Sequence, residues 1–67
     1  MLEFIRINQL RREYWRDHPA DYERYQALGA QFWRHKRAGR LAQATAALQE
    51  SQALYAQSEA WVKSQLP

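Results

Sequence analysis

The chain has 67 residues, no cysteine and a formal net charge of +3, with a sequence pI near 9.7. A chain this short builds one domain around a marginal core, no disulfide is available to brace it, and its two histidines, His18 and His35, lie too far apart to share a helix face as a zinc pair. A disulfide scaffold and a zinc-built fold are thereby excluded, and self-association is the ordinary remedy that is left. Two Phe, four Tyr and three Trp are more than a lone hairpin buries, so a homodimer, a partner protein, or both are expected.

Residues 3–16 carry Phe4, Ile7, Leu10 and Tyr14 at three- and four-residue spacing, the stripe of an amphipathic helix. The opening segment lacks the continuous apolar stretch and small-residue cleavage site of a secretory signal. No apolar run approaches the roughly 20 residues of a spanning helix, so a cytoplasmic protein without membrane association is expected. Asp17-His18-Pro19-Ala20-Asp21 reads as a second helix start, with Asp17 or His18 as cap, proline in the first turn and acids where the helix dipole favours them. The competing reading is one long kinked helix, since Tyr22, Tyr25, Gly29, Phe32 and Trp33 stay in phase with the first stripe. The break is preferred because an internal proline costs about 3 kcal/mol.

Helix 2 is expected over residues 19–37, closed by a turn at 38–40 in which Gly39 takes the left-handed conformation. Helix 3 is expected over 41–65. Leu41, Leu48, Tyr55 and Val62 form one heptad column in it, and Ala47, Leu54 and Trp61 form a second. Ala44, Ser51 and Ser58 lie between them, and these small residues invite a close antiparallel helix. Gly29 is expected to face that column. At 1.5 Å per residue helix 3 is longer than helix 2. Its far half, around Tyr55, Trp61 and Val62, must then be covered by helix 1 or by another chain. The predicted fold is all-α: a helical hairpin of helix 2 and helix 3 with an N-terminal helix, in one domain.

Tyr25, Leu28, Gly29 and Phe32, followed by Ala44 and Leu48 after the Gly39 turn, resemble a single tetratricopeptide-like helical hairpin across residues 25–51. The chain departs from that family by about three extra residues before the turn, by lacking the closing proline and by having one unit only. The resemblance implies peptide or protein binding and no catalysis. In size and shape alone the chain is also similar to phage-encoded inhibitors of host proteins and to secretion co-chaperones.

Charge is unevenly spread: residues 1–18 carry +1, residues 19–40 carry +3 and residues 41–67 carry −1. Two cationic groups stand out as partner-binding candidates. The first is Arg11, Arg12, Trp15 and Arg16, a set of guanidinium groups around an indole, which are residue types enriched at binding hot spots. The second is Arg34, Lys36, Arg37 and Arg40, a basic turn without an acid. The plainer readings are that Trp15 is core with Arg11 stacked on it, and that the turn is a solvated helix end using charges that complement the dipole. Within helices, Glu3 with Arg6 and Asp21 with Arg24 are spaced to pair. The tyrosines lie on or beside apolar stripes and read as structural. Self-association is assigned to Phe4, Ile7, Leu10, Tyr14 and Trp61.

No phosphate-cradling loop, nucleophile with a base, metal set or cofactor motif is present in the sequence, so no catalytic, cofactor-binding or metal residue is assigned. The expected function is a small helical protein–protein interaction module, a homodimer that binds a larger protein with an acidic surface and inhibits or chaperones it. Alternatives are a basic nucleic-acid-binding or transcription-regulating protein, and a purely structural oligomerisation unit.

Overall fold

Proline and glycine set the two breaks in the chain. Pro19 cannot donate to a preceding turn and pushes the residue before it out of the helical region. His18 accordingly has φ −129° and ψ 61°. The computed structural model describes residues 2–67, which form α1 (Leu2–Asp17), α2 (Pro19–Arg37) and α3 (Leu41–Gln65), with no strand. α1 and α2 are thus separate helices and not one kinked helix. His18 is the residue before α2, yet its side chain caps nothing there. It turns back instead: Nδ1 donates to the Tyr14 carbonyl at 2.7 Å and the ring stacks on Tyr14 at 4.1 Å, closing the end of α1.

At the second break Gly39 has φ +77°, a conformation that costs other L-residues energy. It allows the Arg40 amide to donate to the His35 carbonyl at 2.9 Å and the Gly39 amide to the Lys36 carbonyl at 3.1 Å. This paired closure satisfies carbonyls that the end of α2 would otherwise leave open.

α2 packs antiparallel on α3 through the most extensive contact in the molecule, and α1 packs on the remaining length of α3. Tyr25 stacks on Tyr55, and Tyr14 meets Trp61. Both N-terminal helices therefore lie along one face of α3, α2 on its first half and α1 on its second. The backbone measures 43 × 22 × 16 Å, an elongated slab whose length is set by α3.

The core lies in the seam of that slab and consists of Leu10, Tyr14, Leu28, Ala44, Ala47, Val62 and the two serines Ser51 and Ser58. Their small size on α3 lets α2 and α1 come close. Burying the serines leaves no orphaned group, because Ser51 Oγ donates to the Leu48 carbonyl at 2.8 Å and Ser58 Oγ to the Tyr55 carbonyl at 2.6 Å.

The apolar stripes are covered only in part, and the close approach expected at Gly29 is corrected. Of the α1 stripe, Leu10 and Tyr14 are buried and Phe4 is 68% exposed; Leu66 and Pro67 meet the side of α1 that carries Leu2, Glu3, Arg6 and Ile7. Of the column Leu41, Leu48, Tyr55 and Val62, only Val62 is buried; the small-residue column takes the seam and rotates its neighbour outward. A Cβ on Gly29 would meet nothing within 4 Å, so this glycine is not a point of close helix approach.

Candidate partner-binding surface

Arg11 is one turn beyond Asn8 on α1 and faces α3. Its Nε donates to Glu59 Oε1 at 2.6 Å, Nη2 to Glu59 Oε2 at 3.1 Å and Nη1 to Asn8 Oδ1 at 3.1 Å. The guanidinium carbon also lies 6.0 Å from the Tyr55 ring centroid. It stacks across Tyr55 and not across Trp15. The forked contact with Glu59 raises the Arg11 pKa and lowers that of Glu59, in each case against a smaller opposing effect of burial. Arg11 is therefore a clasp between α1 and α3, engaged within the chain.

Arg12, Trp15 and Arg16 remain together. With Tyr22 they line a concavity of about 320 Å³. Trp15 is half-buried and held from three sides: it stacks near Tyr25 at 5.5 Å, tilts against Tyr22 at 5.5 Å and meets Tyr14 edge-on at 5.2 Å. Arg12 and Arg16 are exposed at its mouth. Arg16 Nε reaches Asp17 Oδ1 only at a long 3.4 Å on the open surface, and Arg12 has no hydrogen bond or ion pair among the described residues. Tyr22 belongs to this notch, although its spacing reads as structural. The signal lay in the break itself: interrupting the helix at His18 folds the first turn of α2 back towards the last turn of α1.

The basic turn is arranged differently. Arg34 and Arg37, three residues apart, leave α2 on one side and Lys36 leaves on another, since each residue advances about 100°. Lys36 Nζ sits over Trp33 at 5.0 Å and Phe32 at 5.7 Å, and Arg40 Nε donates to His35 Nδ1 at 3.0 Å. None of these cations meets a carboxylate among the described residues. Their position at the negative end of the α2 dipole accounts for them without a ligand. The length of α2, about 28 Å, separates them from Arg16.

The self-association residues divide. Leu10 and Tyr14 are consumed by the chain's own core, Ile7 and Trp61 are half-buried, and Phe4 is exposed. Arg24 pairs with Glu50 across the hairpin at 2.7 Å and not with Asp21 along its own helix. Among the described residues no group of three His, Asp or Glu side chains could hold a metal ion, and no helix is long and apolar enough to cross a membrane.

The chain matches no family model, no curated protein and no solved structure.

Proposed function

We propose that the chain is a small helical binding module, working as a homodimer, that takes hold of an acidic segment of a larger protein and thereby inhibits or chaperones it. The observation that carries this reading is the notch of Arg12, Trp15, Arg16 and Tyr22. Arg12, which has no ion pair among the described residues, and Arg16, whose one carboxylate contact is the exposed Asp17 at 3.4 Å, flank an indole already fixed by its aromatic neighbours. An acidic side chain would gain charge-assisted hydrogen bonds there, and an adjacent apolar side chain would cover the ring. Because Trp15 is held in place beforehand, little side-chain freedom is lost on binding. The basic turn of Arg34, Lys36, Arg37 and Arg40 would steer the acidic partner to the surface.

A duplex would ask for one continuous cationic track along its phosphates. The cations here are divided between the notch and the far end of α2, which favours the protein reading.

The test is capture of a partner from the source cell by the intact chain, compared with two charge reversals. Arg12→Glu with Arg16→Glu should abolish capture while the helical circular dichroism stays unchanged. Arg34→Glu with Arg37→Glu should slow association and leave capture in place. Capture equal to wild type in both variants overturns the assignment. Tight duplex DNA or RNA binding with a steep salt dependence, and no protein recovered, replaces it with the nucleic-acid reading.

A further inference from the structure

An elongated helical slab leaves long sides open to solvent, and stable architectures pack an apolar side against another layer. One face of the α2–α3 hairpin is apolar. Leu41 is 68%, Leu48 37% and Tyr55 40% exposed. Tyr25, Leu48, Ser51, Gln52 and Tyr55 enclose a shallow hollow of about 190 Å³ on it. Gly29, less than half a turn around α2 from Tyr25, adds no side chain and leaves the surface open.

We infer that this face seats a second copy of the chain, packed so that α3 of each copy runs antiparallel to α3 of the other, with Leu48 on the twofold axis and Leu41 of each copy facing Tyr55 of the other. The inference rests on the homodimeric part of the function proposed above and names its interface, which differs from the α1 surface expected from the sequence.

Area, charge and spacing each argue for a second copy. The chain exposes 5221 Å², whereas a compact monomer of its 8.0 kDa mass exposes about 4,450 Å². The excess is close to the roughly 800 Å² that each partner loses in a standard interface. The radius of gyration tells the same story, 14.2 Å against about 11 Å for a compact domain of this length.

From Leu41 to Ser58 the only charged residue is Glu50, and it is engaged by Arg24. Where the row ends at Tyr55, the Arg11 guanidinium lies over the ring and is neutralised by Glu59. A face bordered by closed ion pairs offers a foreign acidic or basic partner little to select, and lets two copies of a cationic chain meet without apposing unpaired charges. Finally, Leu41, Leu48 and Tyr55 are evenly spaced at seven residues, so the row is symmetric about Leu48. An antiparallel twofold contact centred on Leu48 then pairs Leu41 of each copy with Tyr55 of the other. Two copies packed side by side in this way form a larger helical bundle.

The experiment is sedimentation velocity of the full chain alone at micromolar concentration, joined to cysteine cross-linking, for which the cysteine-free sequence provides a clean background. Wild type should sediment as a dimer. Leu48→Cys should form a disulfide-linked dimer with itself under mild oxidation. Leu41→Cys should link to a Tyr55→Cys chain in a mixture faster than to itself. Leu48→Glu should stay helical and weaken self-association by roughly tenfold or more.

A wild-type chain that remains monomeric overturns the inference, as does a Phe4→Cys variant that cross-links as fast as Leu48→Cys. Faster self-linking of Leu41→Cys than linking to Tyr55→Cys overturns the antiparallel arrangement. No binding partner is present in these measurements, so a lost dimer and a lost partner are read separately.

Discussion

Where α1 meets the second half of α3, large side chains turn inward: Leu10, Tyr14 and Val62 are buried, Trp61 is half-covered, and Arg11 grips Glu59. Where α2 meets the first half, the buried α3 residues are Ala44, Ala47 and Ser51, and Leu28 is the one buried residue of α2. There Leu41 and Leu48 stand on the face instead of in the seam, and Tyr55 continues their row just past the middle of α3. The contrast follows from size. Small residues on α3 bring the helix axes together, and opposite Leu28 the seam has no room for a second large side chain from α3. The half that is best packed by backbone approach is therefore the half that displays its apolar side chains, and it is the half to which we assign the second copy.

The sharpest way to break this comparison is to remove the same side chain from the seam and from the face. Leu28, 1% exposed, should cost about 2–4 kcal/mol as Leu28→Ala, through lost burial and the cavity left behind. Leu48→Ala should cost well under half as much when unfolding is measured below the concentration at which chains associate. Urea midpoints of the two variants check this, and equal losses would place Leu48 inside the monomer's core.

The two glycines sharpen the comparison at the level of the backbone. Gly39 holds a positive φ and Gly29 does not. Gly39→Ala should destabilise by about 1 kcal/mol, because alanine is strained in the left-handed region. Gly29→Ala should stabilise by roughly 0.5–1 kcal/mol, since a Cβ there meets no neighbour and alanine is the better helix former. Thermal melts of opposite sign are the expected result.

The smallest effect distinguishes the α1 half by pH. Glu59 titrates lower in the folded chain than in the unfolded one, chiefly because of its hydrogen bonds to Arg11. The unfolded state therefore binds the extra proton first as pH falls. The clasp's contribution is fully present above the ordinary carboxylate range and is lost as pH drops through the folded value of Glu59. At this part-exposed site it amounts to at most about 1 kcal/mol. Wild type should lose more stability than Glu59→Gln between neutral pH and pH about 3, in the window set by ordinary carboxylate titration. Parallel losses in the two proteins would remove Glu59 from the clasp.

What could be read in advance was local. Pro19 and Gly39 act on the dihedral angles of their own neighbourhood, so the helix bounds 19–37 and 41–65 and the hairpin turn followed from the residues themselves. Ala44, Ser51 and Ser58 were legible as a close-approach column for the same reason: their size is a property of the sequence. The pairing of Arg11 with Glu59 was not legible, because the two lie 48 residues apart and meet only once α1 is laid on α3. Arg24 preferred Glu50 on the opposite helix to Asp21 on its own, a choice that intrahelical spacing cannot anticipate.

The sequence by itself determined three helices, their breaks and the existence of apolar stripes, since each depends on backbone preference or on a 3.6-residue period. Which part of each stripe is covered was decided by tertiary structure alone. Periodicity fixes the direction in which a side chain leaves its own helix; burial depends on how close the next helix lies and where it ends. That geometry left Phe4 exposed, kept Gly29 clear of close contact, and joined Tyr22 to Trp15 across the break at His18.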